Sequence, residues 1–282
     1  MSEPAVLFQT LTTASGHLFG RATLNQPASL NAVSMAMITL LEPQLAKWAA
    51  DPQVAGVILD ASGDKAFSAG GDVVGLYHAI REAGPGVVAP YAAEFFEREY
   101  RLDYQIHRYP KPVLAWAHGI VMGGGMGLMT GASHRVGTSK TRMAMPEISI
   151  GLFPDVGGSW VLPRLPGRTG LFLALTGNLM NASDALFVGL VNFVLPHTRH
   201  GAVLDAIASS RWAGQRDADG ATLSHLLEDL GQHMELPRSM LRTHWDRISA
   251  TMGHDRLQDI APRMAALAED EDPWLARSGT QF

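Results

Sequence analysis

The chain has 282 residues, 46% hydrophobic and 17% charged, with a net charge of −5 and no cysteine. This balance describes a folded protein with a sizeable core and leaves no basic footprint for nucleic acid. Without cysteine there is no disulfide framework, thiolate zinc site or cysteine nucleophile. The N-terminal MSEPAVLFQTLTT has no basic region followed by a long apolar core, and no stretch approaches the roughly 20 apolar residues of a spanning helix. The expectation is a soluble cytoplasmic protein with neither membrane nor nucleic acid as a partner.

In chain order, Val6–Thr13 and His17–Leu24 read as two strands joined by the turn-like Ala14-Ser15-Gly16. From Ser34, Met35, Met37, Ile38, Leu41, Leu45 and Trp48 recur at helical spacing until Asp51-Pro52 stops the helix. Val57-Ile58-Leu59 is a short buried strand. The alternation indicates an α/β chain. Residues 65–72, KAFSAGGD, form a loop of small residues that lets a ligand approach the main chain, or a strand-to-helix turn with Asp72 at the helix start. The spacing predicts a helix over Pro90–Arg108. Within it Glu99 reads as a solvated residue of a mixed-charge face, paired locally with Arg98.

Val113–Ala117 is another buried strand, running through His118 into Ile120-Val121-Met122 and the triplet Gly123-Gly124-Gly125. His118 reads as a structural hydrogen-bonding group. Met126–Ala132 looks helical, which sets the triplet amides at a helix start, where they could hold a developing oxyanion or simply form a packing turn. No GK[ST] follows and the spacing is not that of a dinucleotide fingerprint. Residues 144–158, AMPEISIGLFPDVGG, set Glu147 and Asp155 among apolar residues. Lost hydration there would raise a carboxyl pKa and suit a base, acid or nucleophile, while a cap or turn role stays open. The helix-like LFLALTG, a capped start at Asn181–Asp184 and a strand at Val191–Leu195 come next. Helical segments follow at Gly201–Trp212, Thr222–Met234, Arg238–Thr251 and Leu257–Ala268. His197 and His200 lack a third ligand, so no metal site is expected.

Taken together, KAFSAGGD (65–72), HGIVMGGGMGL (118–128) and MPEISIGLFPDVGG (145–158) resemble the crotonase (enoyl-CoA hydratase/isomerase) superfamily, most closely its 3-hydroxyisobutyryl-CoA hydrolase branch. The similarity is strong over roughly residues 5–196 and weaker beyond. It implies a spiral of β-β-α turns over residues 1–196 and a helical region over 197–282 that is short for the branch. The implied ligand is an acyl-CoA thioester, with CoA as part of the substrate and no separate cofactor, in a homo-oligomeric protein. By the resemblance, the amides of Gly71 and Gly124 bind the thioester carbonyl oxygen, the main chain near Ala69 flanks CoA, and Glu147 activates water or attacks the carbonyl. Asp155 and Glu99 would bind the 3-hydroxyl end. Hydratases of the superfamily carry GGGCE, whose glutamate falls at Gly127 here, and usually have glycine at the position of Asp155. Those two departures favour thioester hydrolysis over hydration. The alternatives are a hydratase or isomerase working through Glu147 alone, and a non-catalytic acyl-CoA-binding or scaffold protein. A serine hydrolase is disfavoured, since Ser159 lies in GGSWV and not in a G-x-S-x-G elbow.

Overall fold

A computed structural model describes residues 3–231 and 234–282. Gln232 and His233, near the end of the expected Thr222–Met234 helix, lie outside the described residues, as do Met1 and Ser2. The first half contains β1 (Val6–Thr12), β2 (Leu18–Leu24), α1 (Met35–Ala50), β3 (Val54–Ala61), β4 (Ala66–Ser68), α2 (Val73–Ala83) and α3 (Pro90–His107). Next come β5 (Val113–Ala117), β6 (Ile120–Met122), α4 (Gly124–Thr130), β7 (His134–Thr138), β8 (Arg142–Ala144) and α5 (Gly158–Val161). The mixed elements end with α6 (Thr169–Thr176), β9 (Met180–Asn181), α7 (Ala182–Phe187) and β10 (Phe193–Leu195). Six helices close the described chain: α8 (His200–Ser209), α9 (Arg216–Gly231), α10 (Met240–Thr243), α11 (Trp245–Met252), α12 (Leu257–Leu267) and α13 (Pro273–Gln281).

The strands form two sheets, ordered β1-β2-β3-β5-β7-β10 and β4-β6-β8-β9. Three times the chain lays one strand in the large sheet and the next in the small one: β3 then β4, β5 then β6, β7 then β8. Each pass stacks parallel on the previous one, which produces the expected spiral. The pairs β1–β2 and β8–β9 are antiparallel. The corner between β5 and β6 needs glycine. Gly119 has φ +60°, and a Cβ there would lie 2.2 Å from the Lys65 carbonyl oxygen.

The large sheet is covered on both faces, which explains why β3 and β5 read as continuous apolar runs. Val57, Leu59, Val113 and Ala115 face a core shared with α1, α3 and α4. Ile58, Leu114 and Trp116 face the opposite way, onto Val203 and Ile207 of α8 and Leu223 and Leu227 of α9. Strands β7 and β8 were not among the expected elements. HRVGT and RMA are too short and polar to show a pattern, and they become strands by pairing with β5 and β6. Helix α13 was likewise unexpected. Its first turn is fixed by the Asp272 side chain, which accepts from the Trp274 and Leu275 amides.

One buried charge ties the first sheet strands together. Asp60 is fully buried and accepts 2.8 Å from Arg21 Nε and 2.6 Å from the Thr23 hydroxyl. Removing one partner of such a pair leaves the other uncompensated. Asp60→Asn should therefore lower unfolding free energy by about 2–4 kcal/mol, read as a shifted urea midpoint with an unchanged slope.

Candidate active site

The site is assembled where the β4–α2 turn meets the start of α4. Asn31 anchors the first wall: its side-chain amide donates to the carbonyls of Ser62 and Ala66 on either side of the approach to β4. Val33 then brackets Gly71, its N–H donating to Gly70 O at 2.7 Å and its carbonyl accepting from Asp72 N at 2.9 Å. Between these bonds Gly70 adopts φ +117°, a conformation glycine alone takes easily. The Gly71 N–H is given to no backbone or side-chain acceptor among the described residues, and neither is that of Gly124, the first residue of α4. The two sit side by side, since a Cβ built on Gly124 would come within 3.1 Å of the Gly71 nitrogen. Fixed, unpartnered amides in this arrangement suit a carbonyl oxygen that gains negative charge.

Carboxyls surround those amides. Glu147 begins a short 3-10 turn over Glu147–Ile150 and is 6% exposed. Its Oε1 would lie 2.9 Å from a Cβ on Gly123, and its Oε2 has no hydrogen-bond partner. Burial, partly offset by a hydrogen bond from its own backbone and aided by the charge of Asp155, pushes Glu147 up to about 7. Glu99 approaches from α3, and its Oε1 occupies the space beside Gly124 at 2.5 Å from where a Cβ would be. It is only 2% exposed, not solvated, and Arg98 points elsewhere, onto Glu42. The charged pattern of α3 does not show which side meets α4, and the face expected to be solvated at Glu99 is the buried one. Burial first, then the charges of Asp155 and Glu147, push Glu99 up to about 8.

Asp155 is held by a residue outside the sequence-based set: the Tyr100 hydroxyl donates to Asp155 Oδ2 at 2.7 Å. The following residue, Val156, is buried with φ +41°, a strained position for a β-branched side chain that fixes the direction of the Asp155 loop. A cavity of about 590 Å³ opens on this side, lined by Asp155, Tyr100, Gly127 and Asp103. Glu147, Gly71 and Gly124 stand outside its lining.

Other expected positions resolve differently. Ala69 is part-exposed, but its N–H is committed to Leu30 O, which leaves its carbonyl as the main-chain group open to a ligand. Asp72 caps α2 by accepting from Gly75 N. His118 lies away from the carboxyls, with Nε2 2.8 Å from Gly63 O. His197 and His200 face Asp64 and Asp60, and among the described residues no group of three or more metal-ligating side chains converges. None of the helices described is long and apolar enough to cross a membrane.

A family model described as enoyl-CoA hydratase/isomerase matches residues 19–282. The chain belongs to this family. Among curated relatives it is similar to "3-hydroxyisobutyryl-CoA hydrolase, mitochondrial" from Gallus gallus, 38% identical over 92% of this chain and 64% of the relative. It is also 37% identical to "Small ribosomal subunit protein mS47" from Neurospora crassa, over 75% of this chain and 40% of the relative. A solved carnitinyl-CoA dehydratase from Mycobacterium thermoresistibile matches with TM-score 0.84 and 34% identity, covering 99% of this chain and 74% of that one. The chain thus spans less than two thirds of the length of these curated relatives. The crotonase spiral is the fold of this family member. The GGGMG of α4 has glycine at 127, and in the structure that position is packed against Asp103 and Val156.

The raised carboxyls carry a stability consequence. An acid whose folded pKa lies above its unfolded value binds more protons folded, so it costs stability as pH rises from 4.5 through about 8 for Glu99. Glu99→Gln should therefore unfold like the wild type near pH 4.5 and be more stable than it at pH 8.5, by about 2–4 kcal/mol. Denaturant titrations at both values check the sign.

Proposed function

We propose that this protein hydrolyses a short-chain 3-hydroxyacyl-CoA thioester, of the 3-hydroxyisobutyryl-CoA kind, to the free acid and CoA. The observation that carries the reading is the pairing of two free amides, Gly71 and Gly124, with a buried Glu147 pushed up to about 7. The resemblance of the chain to 3-hydroxyisobutyryl-CoA hydrolase from Gallus gallus supports it.

In this reading the thioester carbonyl oxygen accepts from both amides, which favours the tetrahedral state over the planar one. Ionised Glu147 takes a proton from water as the water oxygen bonds to the carbonyl carbon. When the carbon–sulfur bond breaks, that proton passes to the departing sulfur, leaving acid and CoA thiol. Direct attack by Glu147 would instead give an anhydride that water opens. In H₂¹⁸O under single turnover, only the anhydride route puts label into Glu147. Asp155, fixed by Tyr100, and Glu99 face the acyl end, where a carboxyl can engage a hydroxyl.

The likeness to a carnitinyl-CoA dehydratase favours a second reading, the addition or removal of water across an acyl double bond with Glu147 moving the proton. One assay separates the two. With 3-hydroxyisobutyryl-CoA and a thiol reagent, the wild type should release free CoA, and Glu147→Gln should reduce kcat about 10²–10⁴-fold. Asp155→Asn should also slow the reaction. Appearance of enoyl-CoA absorbance without free thiol would instead establish the second reading and end the first. If Glu147 works ionised, kcat/KM should rise as pH increases through about 7.

A further inference from the structure

Helix α3 carries a second buried carboxyl one turn beyond Glu99. Asp103 is 8% exposed, and neither carboxyl oxygen has a hydrogen-bond partner. The other buried aspartates are treated differently. Asp60 accepts from Arg21 and Thr23, Asp219 from the amides of Ala213 and Gln215, and Asp184 from Asn181 N, Ser239 Oγ and Leu241 N. Each of those ties two segments together, which is what a structural carboxyl does. Asp103 ties nothing. A carboxyl so little exposed and without a protein partner is destabilising where it stands, a cost that a hydrogen-bonding ligand in the cavity would relieve.

Its setting indicates the kind of ligand. The carboxyl lies in the space left by glycine in the middle of α4, with Oδ2 and Oδ1 at 2.8 and 2.9 Å from where a Gly127 Cβ would be. Asp103 also lines the 590 Å³ cavity that Asp155 and Tyr100 border. The charged groups that act on it are Glu99 from its own helix and Asp155 from the facing loop, both acids. His107 and Arg108 border the same cavity further along α3. Burial first, then the charges of Glu99 and Asp155, hold the Asp103 carboxyl well above the usual carboxylate range. A neutral carboxylic acid presents one donor and one acceptor, the same pair an alcohol requires.

We propose that Asp103 is a specificity-determining residue, reading the hydroxyl of a hydroxyl-bearing acyl group seated in the cavity between α3, α4 and the Asp155 loop. The inference rests on the thioester-hydrolase reading above. With Asp155, Asp103 lines the acyl end of that cavity, where its carboxyl can donate to the hydroxyl.

The test compares CoA release from 3-hydroxyisobutyryl-CoA and isobutyryl-CoA, substrates that differ only in the hydroxyl. The wild type should prefer the hydroxylated thioester. Asp103→Leu and Asp103→Ala should lower the ratio of kcat/KM for the hydroxylated over the unhydroxylated thioester by at least about tenfold. Asp103→Asn, which retains a donor and an acceptor, should keep the preference. Either apolar variant is informative once its thermal unfolding shows it folded. A wild type without preference overturns the assignment even if no variant folds. So do an unchanged substrate ratio in a folded apolar variant, an equal loss on both thioesters, and an Asn variant no better than Leu. Absence of CoA release by the wild type from either thioester strikes the hydrolase reading itself, a result distinct from all of these.

Discussion

The close approach of α3 to α4 is the constraint from which the site follows. Helix α4 and the residue after it present Gly124, Gly127 and Gly131 toward α3, and a Cβ at any of them would meet α3 atoms at 2.5 to 3.0 Å. Glu99 Oε1 stands against Gly124, Asp103 against Gly127, and the backbone of His107 against Gly131. Three glycines within so short a helix weaken it intrinsically. In return α3 delivers Glu99 beside the free amides and Asp103 against Gly127, space that bulkier residues on α4 would fill. Without this seam Glu99 would be the surface residue its helix suggests.

Charge concentration is the second consequence. Glu99, Asp103, Glu147 and Asp155 gather in one place, the first three each pushed up by burial and then by a neighbouring acid, and three of the four have buried oxygens with no hydrogen-bond partner among the described residues. Elsewhere the protein satisfies its buried acids fully, as at Asp60, Asp184 and Asp219. The contrast separates acids tied into the fold from acids left without a protein partner. Strain marks the same place: Val156, at φ +41°, directly follows the acid that Tyr100 holds.

The large sheet supplies the rigidity that such a site needs. Both of its faces are covered, one by α1, α3 and α4 and the other by α8 and α9, so the β-β-α passes stack without freedom to slide. The turns carrying Gly71 and Gly124 follow successive strands of the small sheet, β4 and β6, and their mutual position is set by that pairing. Preorganisation of the amides is thus a property of strand register.

Much of this was legible in the chain itself. Strands β1, β2, β3 and β5 declare themselves by alternation or by short apolar runs, α1 by its spacing, and α7 by the capped start at Asn181–Asp184. The loops bearing Gly71, Gly124, Glu147 and Asp155 could be singled out because small residues and isolated acids in apolar sequence are unusual. Strands β7 and β8 could not, because their residues become strands only by pairing. The burial of Glu99, the grip of Tyr100 on Asp155 and the lodging of Asp103 against Gly127 were decided by tertiary structure alone. Each depends on which face of α3 turns toward α4, and helical periodicity in a charged segment leaves that face undetermined until the glycine seam on the other helix selects it.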